Sequence, residues 1–132
     1  MPALLSFDYA VLRVVPLVQR EEFVNAGVVL FCLERDFLEA RVELDSTRVR
    51  ALFPDADLTL IQDHLSAFRA IAAGGAGGGP IGRMSIRERF HWLVAPRSTV
   101  LQTSAVHTGL CESPESALEQ LMATVVRLPA SA

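Results

Sequence analysis

FDYAVLRVV (Phe7–Val15), VNAGVVLFCL (Val24–Leu33) and FLEARVEL (Phe37–Leu44) decide the fold, because each reads as a β-strand of a different kind. The first two are rich in β-branched and aromatic residues and largely apolar on both alternating faces. That is the pattern of interior strands covered on both sides. Arg13 is the exception in the first strand and shares a face with Tyr9, Val11 and Val15. The third stretch alternates, with Leu38, Ala40, Val42 and Leu44 on the inward face and Glu39, Arg41 and Glu43 on the outward one. The loop PLVQREE and a turn at Glu34-Arg35-Asp36 connect the three, so an antiparallel meander is expected. Asn25-Ala26-Gly27, set inside an apolar strand, predicts a bulge or a close backbone approach. A buried Asn25 side chain would then need partners.

Two helices come next in the sequence. Asp45 or Ser46 can cap a short one that ends at Pro54, with Val49, Leu52 and Phe53 inward. A longer one starts near Asp57, where Leu58, Ile61, Leu65, Phe68 and Ala72 draw a single apolar stripe. GGAGGGPIG (Gly74–Gly82) ends it as a surface loop. RFHWLVA (Arg89–Ala95) and Thr99–Val106 read as two further strands joined by Pro96-Arg97-Ser98. Ser113 as N-cap, Pro114 at the first helical position and Glu115 in the first turn open a last helix. Its core face is Leu118, Leu121, Met122, Val125 and Leu128. The expected architecture is α+β: an antiparallel sheet of about five strands, in the order β-β-β-α-α-β-β-α, with helices packed on it.

The chain has 132 residues, the size of one domain, and residues 1–132 are expected to form a single one. Half of them are hydrophobic (51%) and only 20% are charged, which excludes global disorder. The net charge of −3 speaks against a general nucleic-acid or membrane-surface binder. All basic side chains are arginine. Without lysine there is no Schiff base, no P-loop phosphate clamp and no lysine general base. Cys32 and Cys111 stand far apart, outside any metal-ligand spacing or disulfide framework, so no metal or cofactor is expected. The N-terminal stretch has no basic leader and no apolar run reaches the length of a membrane span, which predicts a cytoplasmic protein.

Gly77, Gly79 and Gly82 match the spacing of a dinucleotide fingerprint. That fingerprint needs a strand before it and a helix after it. Here a helix precedes the glycines, and Arg83-Met84 stand where a P-loop would have lysine and a hydroxyl residue. A loop that closes over a ligand is the alternative to a plain surface loop. A second constellation lies at residues 83–97, where Arg83, Arg87, Arg89 and Arg97 face one acid, Glu88. On a strand, Arg87, Arg89 and His91 would share a face. Such a row, with Arg97 and His107, suits a phosphate-bearing or nucleotide ligand, because each guanidinium can hold two oxygens. The alternative is that these arginines pair with Glu39 and Glu43 of a neighbouring strand or stand in water. His64 is expected to be half-buried on its helix. No catalytic residues emerge from the spacing of the histidines, serines and cysteines.

REEFVNAGVVLF (Arg20–Phe31), GGPIG (Gly78–Gly82) and RERFHWLVAPRSTVLQTSAVHTGL (Arg87–Leu110) resemble a bacterial family known as domain-of-unknown-function family 3037. The resemblance runs over nearly the whole chain. It implies no activity or catalytic residues. Its members tend to be encoded beside HipA-like kinases, which implies a partner or accessory role. Taken together, the expectation is a small, non-enzymatic interaction module working through a protein partner, such as a HipA-like kinase, or through its own homodimer. The alternatives are an enzyme or sensor using Arg87, Arg89, His91, Arg97 and His107 for a phosphorylated ligand and, behind it, nucleic-acid binding. An apolar patch is expected on the surface, since three helices are few for a sheet with two doubly apolar strands.

Overall fold

The computed structural model describes residues 3–129. Strand β1 (Leu5–Val14) forms an antiparallel pair with β2 (Val24–Cys32), which pairs in turn with β3 (Phe37–Val42). Two short strands, β4 (Leu101–Thr103) and β5 (His107–Cys111), share the other side of β1. β4 pairs with Leu12–Val14 and β5 with Leu5–Tyr9. The result is the expected α+β architecture with a five-stranded antiparallel sheet. The predicted strand Thr99–Val106 is therefore cut to its middle three residues, and β5 begins just past its expected end. Ser104 makes the break between β4 and β5: its N–H donates to the Val11 carbonyl, and its hydroxyl accepts from Val11 N–H at 2.9 Å.

Helix α1 (Ser46–Leu52) starts at an Asp45 cap, whose carboxylate accepts from Arg48 N–H. Helix α2 (Leu58–Ala73) starts likewise at Asp57, which accepts from Leu60 N–H. The glycine-rich segment after it holds a single helical turn, α3 (Gly79–Gly82), folded back on itself by a bond from Gly75 N–H to the Gly82 carbonyl. The next element corrects the sequence reading. Residues Arg89–Ala95 are not a strand but belong to helix α4 (Ile86–Val94). Ser85 caps it: its hydroxyl accepts from Glu88 N–H and donates to the Glu88 carboxylate at 2.8 Å. Serine followed by glutamate three residues later is a capping box. Ile86, Phe90, Leu93 and Val94 supply the apolar stripe, with Phe90 and Leu93 fully buried. Phe90, Trp92 and Val94 alternate as a strand would, but Phe90 and Leu93 meet the core and Trp92 is 37% exposed.

Helix α5 (Pro114–Leu121) opens at the Ser113 cap and runs on into a wider, π-helical turn over Met122–Val126. There Arg127 N–H donates to the Met122 carbonyl, five residues back. The extra residue in that turn rotates the chain beyond it. Val126 is buried, and Leu128, expected in the core, stands 63% exposed.

Both sheet faces carry helices, different ones on each, and the second face is covered only in part. On the first face Ala10, Leu12, Val14, Val29, Phe31, Leu38 and Ala40 pack against α1, α2 and α4. On the second, Leu5, Phe7, Val28, Leu30 and Cys32 meet Leu118, Met122 and Val126. A bulge lets β2 serve both. Leu12 lies opposite Gly27 and Arg13 opposite Asn25, so Ala26 is the extra residue, and the parity of the strand reverses there. Asn25 thereby turns to the second face, where its Nδ2 donates to the Val125 carbonyl at 3.0 Å. Gly27 is a close approach as well, since a Cβ there would lie 2.5 Å from the Arg41 carbonyl oxygen. Gly109 of β5 is the other such position: the Phe7 ring lies over it, 2.6 Å from where a Cβ would be.

Candidate functional site

The structure separates the five residues that the sequence grouped as an anion-binding strip. Arg87, Arg89 and His91 sit on α4, not on a strand. Helical spacing puts Arg87 and His91 on one exposed side and turns Arg89 away from both. The Arg89 guanidinium donates to the Met84 carbonyl at 2.9 Å and reaches the Ala72 carbonyl at 3.5 Å, which ties α4 to the end of α2. Arg97 closes the end of its own helix, donating to the carbonyls of Trp92 at 2.7 Å and Leu93 at 3.0 Å. It also lies against the Phe68 ring at 5.0 Å and the Trp92 ring at 4.8 Å. Burial pulls its guanidinium pKa below the ordinary arginine value. Both arginines thus hold the orphan carbonyls of helix C-termini. Arg87 faces a small recess with Asp8, Ser6 and Glu34, where two carboxylates already stand. Nor do the strip arginines pair with Glu39 and Glu43. Arg41 and Arg127 take those acids.

His107 lies on the second sheet face, opposite Tyr9, with their rings 5.3 Å apart. That face carries a grouping the sequence left scattered. Helix α5 and its π-turn pack mainly over β2 and the start of β1. Past Phe7, the β1 residues Tyr9, Val11 and Arg13 are only half-buried. Arg13 lies over the Phe23 ring at 4.3 Å, and Phe23 is 44% exposed. Gln102 of β4 stands opposite Arg13. The Arg13 Nε is buried without a hydrogen-bond partner among the described residues. The signal for this grouping is the alternation that puts Tyr9, Val11 and Arg13 on one face. The missing part is the pairing of β5 with β1, a contact across about 100 residues of chain. Chemically the strip offers apolar and aromatic contact area, the Arg13 guanidinium and the His107 imidazole. None of its members forms a nucleophile–base pair.

No helix among the described residues is long and apolar enough to cross a membrane. No curated protein and no solved structure matches the chain. Residues 9–126 match the family described as protein of unknown function (DUF3037). That match takes in every strand and helix named above, apart from the first residues of β1, and the chain belongs to the DUF3037 family.

Proposed function

We propose that the protein is a non-catalytic interaction module that docks another protein on the open half of its second sheet face. The observation that supports this reading is the strip Tyr9, Val11, Arg13, Phe23 and His107, left uncovered where α5 ends its contact with the sheet. Aromatic residues beside arginine, on a rigid sheet, are the side chains that dominate protein interfaces, because they bury much area for little lost rotamer freedom. The partner surface that fits is apolar, with room for the exposed Phe23 ring. A HipA-like kinase is the partner suggested by the family's gene neighbourhood, and a second copy of this chain is the competing one.

Sedimentation velocity distinguishes them. The purified protein is run over a wide concentration range, alone and mixed with the host's HipA-like kinase. The expected result is a heavier species in one of the two experiments that disappears in the Tyr9→Ser, Phe23→Ser double variant. Both side chains are partly exposed, so the double variant keeps its fold. A complex of unchanged strength in that variant, or no heavier species in either experiment, overturns the proposal.

A further inference from the structure

The far edge of the sheet carries a second feature, on the opposite face from the open strip. Strand β3 ends the sheet, and no described strand pairs with its outer side. The register fixes which backbone groups point outward. Glu43 N–H donates to the Ala26 carbonyl, directly opposite it, so 43/26 is a hydrogen-bonded pair. Alternation makes Arg41, Glu39 and Phe37 the next bonded residues, opposite Val28, Leu30 and Cys32. Leu38, Ala40 and Val42 therefore aim their N–H and C=O groups away from β2, into a groove of about 760 Å³. The other wall of that groove is α2, through Ser66, Arg69, Ala70 and Ala73. Arg69 is exposed there and makes no ion pair among the described residues.

We infer that this groove takes an extended peptide segment of a partner protein as a sixth strand, added to β3 and carrying an acidic side chain that meets Arg69. Three observations specify that occupant. A row of unpaired donors and acceptors is satisfied along its length by another extended backbone. A strand laid on β3 sends alternate side chains to the α2 side, over Ser66, Ala70 and Ala73, whose short side chains leave room for large apolar ones. The lone guanidinium on that wall supplies charge complementarity, and its forked donors suit a carboxylate. The six residues of β3 set the length of the added strand at about 20 Å. This surface is separate from the open strip on β1, and its test reads only on β3.

The probe is a library of random heptapeptides displayed on phage, selected against the intact protein. Enriched sequences should alternate apolar residues and include an aspartate or glutamate. A synthetic peptide of that sequence should slow amide exchange at Leu38, Ala40 and Val42, read by NMR, while Glu39 and Arg41, already bonded to β2, change little. Ser66→Trp, on the exposed side of α2, should fill the groove and abolish binding. Arg69→Glu should weaken it by roughly tenfold. The far-ultraviolet circular dichroism of both variants should match the parent. Failure to enrich any peptide, or a peptide whose binding ignores Ser66→Trp and leaves those three amides unprotected, overturns the inference. So does protection of the same amides that rises with protein concentration and without peptide, since that assigns the edge to a second copy.

Discussion

Replacing Arg97 by alanine tests whether the basic segment holds the protein together or serves a ligand. The guanidinium spans the last turn of α4, with two hydrogen bonds to the Trp92 and Leu93 carbonyls and two aromatic rings within 5.0 Å. Hydrogen bonds from a charged donor contribute about 1.5 kcal/mol at the low end of their range, which is the appropriate end for a half-buried group. Losing both does not double that, because water replaces part of the donation to Trp92. Contact with each ring adds about 0.5 kcal/mol at such a site. The sum is about 2–3 kcal/mol, a fall in Tm of roughly 6–12 °C for a chain of this size. Urea unfolding followed by circular dichroism measures it directly. Arg97→Lys should recover less than half of the loss, because an ammonium cannot bridge two carbonyls and lie flat on two rings. If Arg97 were instead held ready for an anion, its removal would relieve repulsion and leave stability within about 0.5 kcal/mol. A midpoint unchanged in Arg97→Ala refutes the structural role.

Packing and charge set the other expected outcomes. Leu118→Ala removes a fully buried side chain between α5 and the sheet and should cost about 2–5 kcal/mol in urea unfolding. Gly27→Ala puts a methyl group against the Arg41 carbonyl and should cost about 1 kcal/mol or more, a larger effect than Gly77→Ala, where nothing lies within 4 Å. Glu119 is held below its ordinary carboxyl pKa, first by its hydrogen bond to Arg127, which outweighs desolvation, and then by the Arg127 charge and the contact with Arg41. A depressed carboxyl stabilises the fold above its unfolded pKa and loses that contribution as pH falls through the lowered folded value. Thermal melts from pH 6 down to pH 2 should therefore show a smaller acid-induced fall in Glu119→Gln than in the parent.

The parts of the fold legible in the sequence are those governed by local chemistry. The alternation of Leu38, Ala40 and Val42 against Glu39 and Arg41, the caps at Asp45 and Ser113, the helix start near Asp57, and the stripe Ile61, Leu65, Phe68 and Ala72 are all present in the structure. Asn25-Ala26-Gly27 is a bulge, as its composition implies. Helix α4 reads as a strand because Phe90, Trp92 and Val94 satisfy a two-residue period, while Ser85 and Glu88, which signal the helix start, lie upstream of the apolar run. With helical spacing, Arg87 and Arg89 part company, and the strip dissolves with the strand that carried it. The π-turn after Leu121 is invisible for a different reason. Arg127, held by Glu43 and Glu119, fixes the end of that segment through contacts 84 and 8 residues away. The open strip on β1 depends on the reach of α5 and on β5 lying beside Tyr9, and neither is written in any local pattern.

The central claim, that the open half of the second face is where a partner docks, is tested most directly by site-specific photocrosslinking in the native host. A benzophenone amino acid is placed at Val11, in the middle of the strip, and in a control strain at Arg50, exposed on α1. Irradiation followed by mass spectrometry of the adduct should yield one discrete protein crosslinked through position 11 and none through position 50. The partner should be lost when Tyr9 and Phe23 are also changed to serine. Position 11 giving no protein adduct, or the same adducts as position 50, contradicts the account.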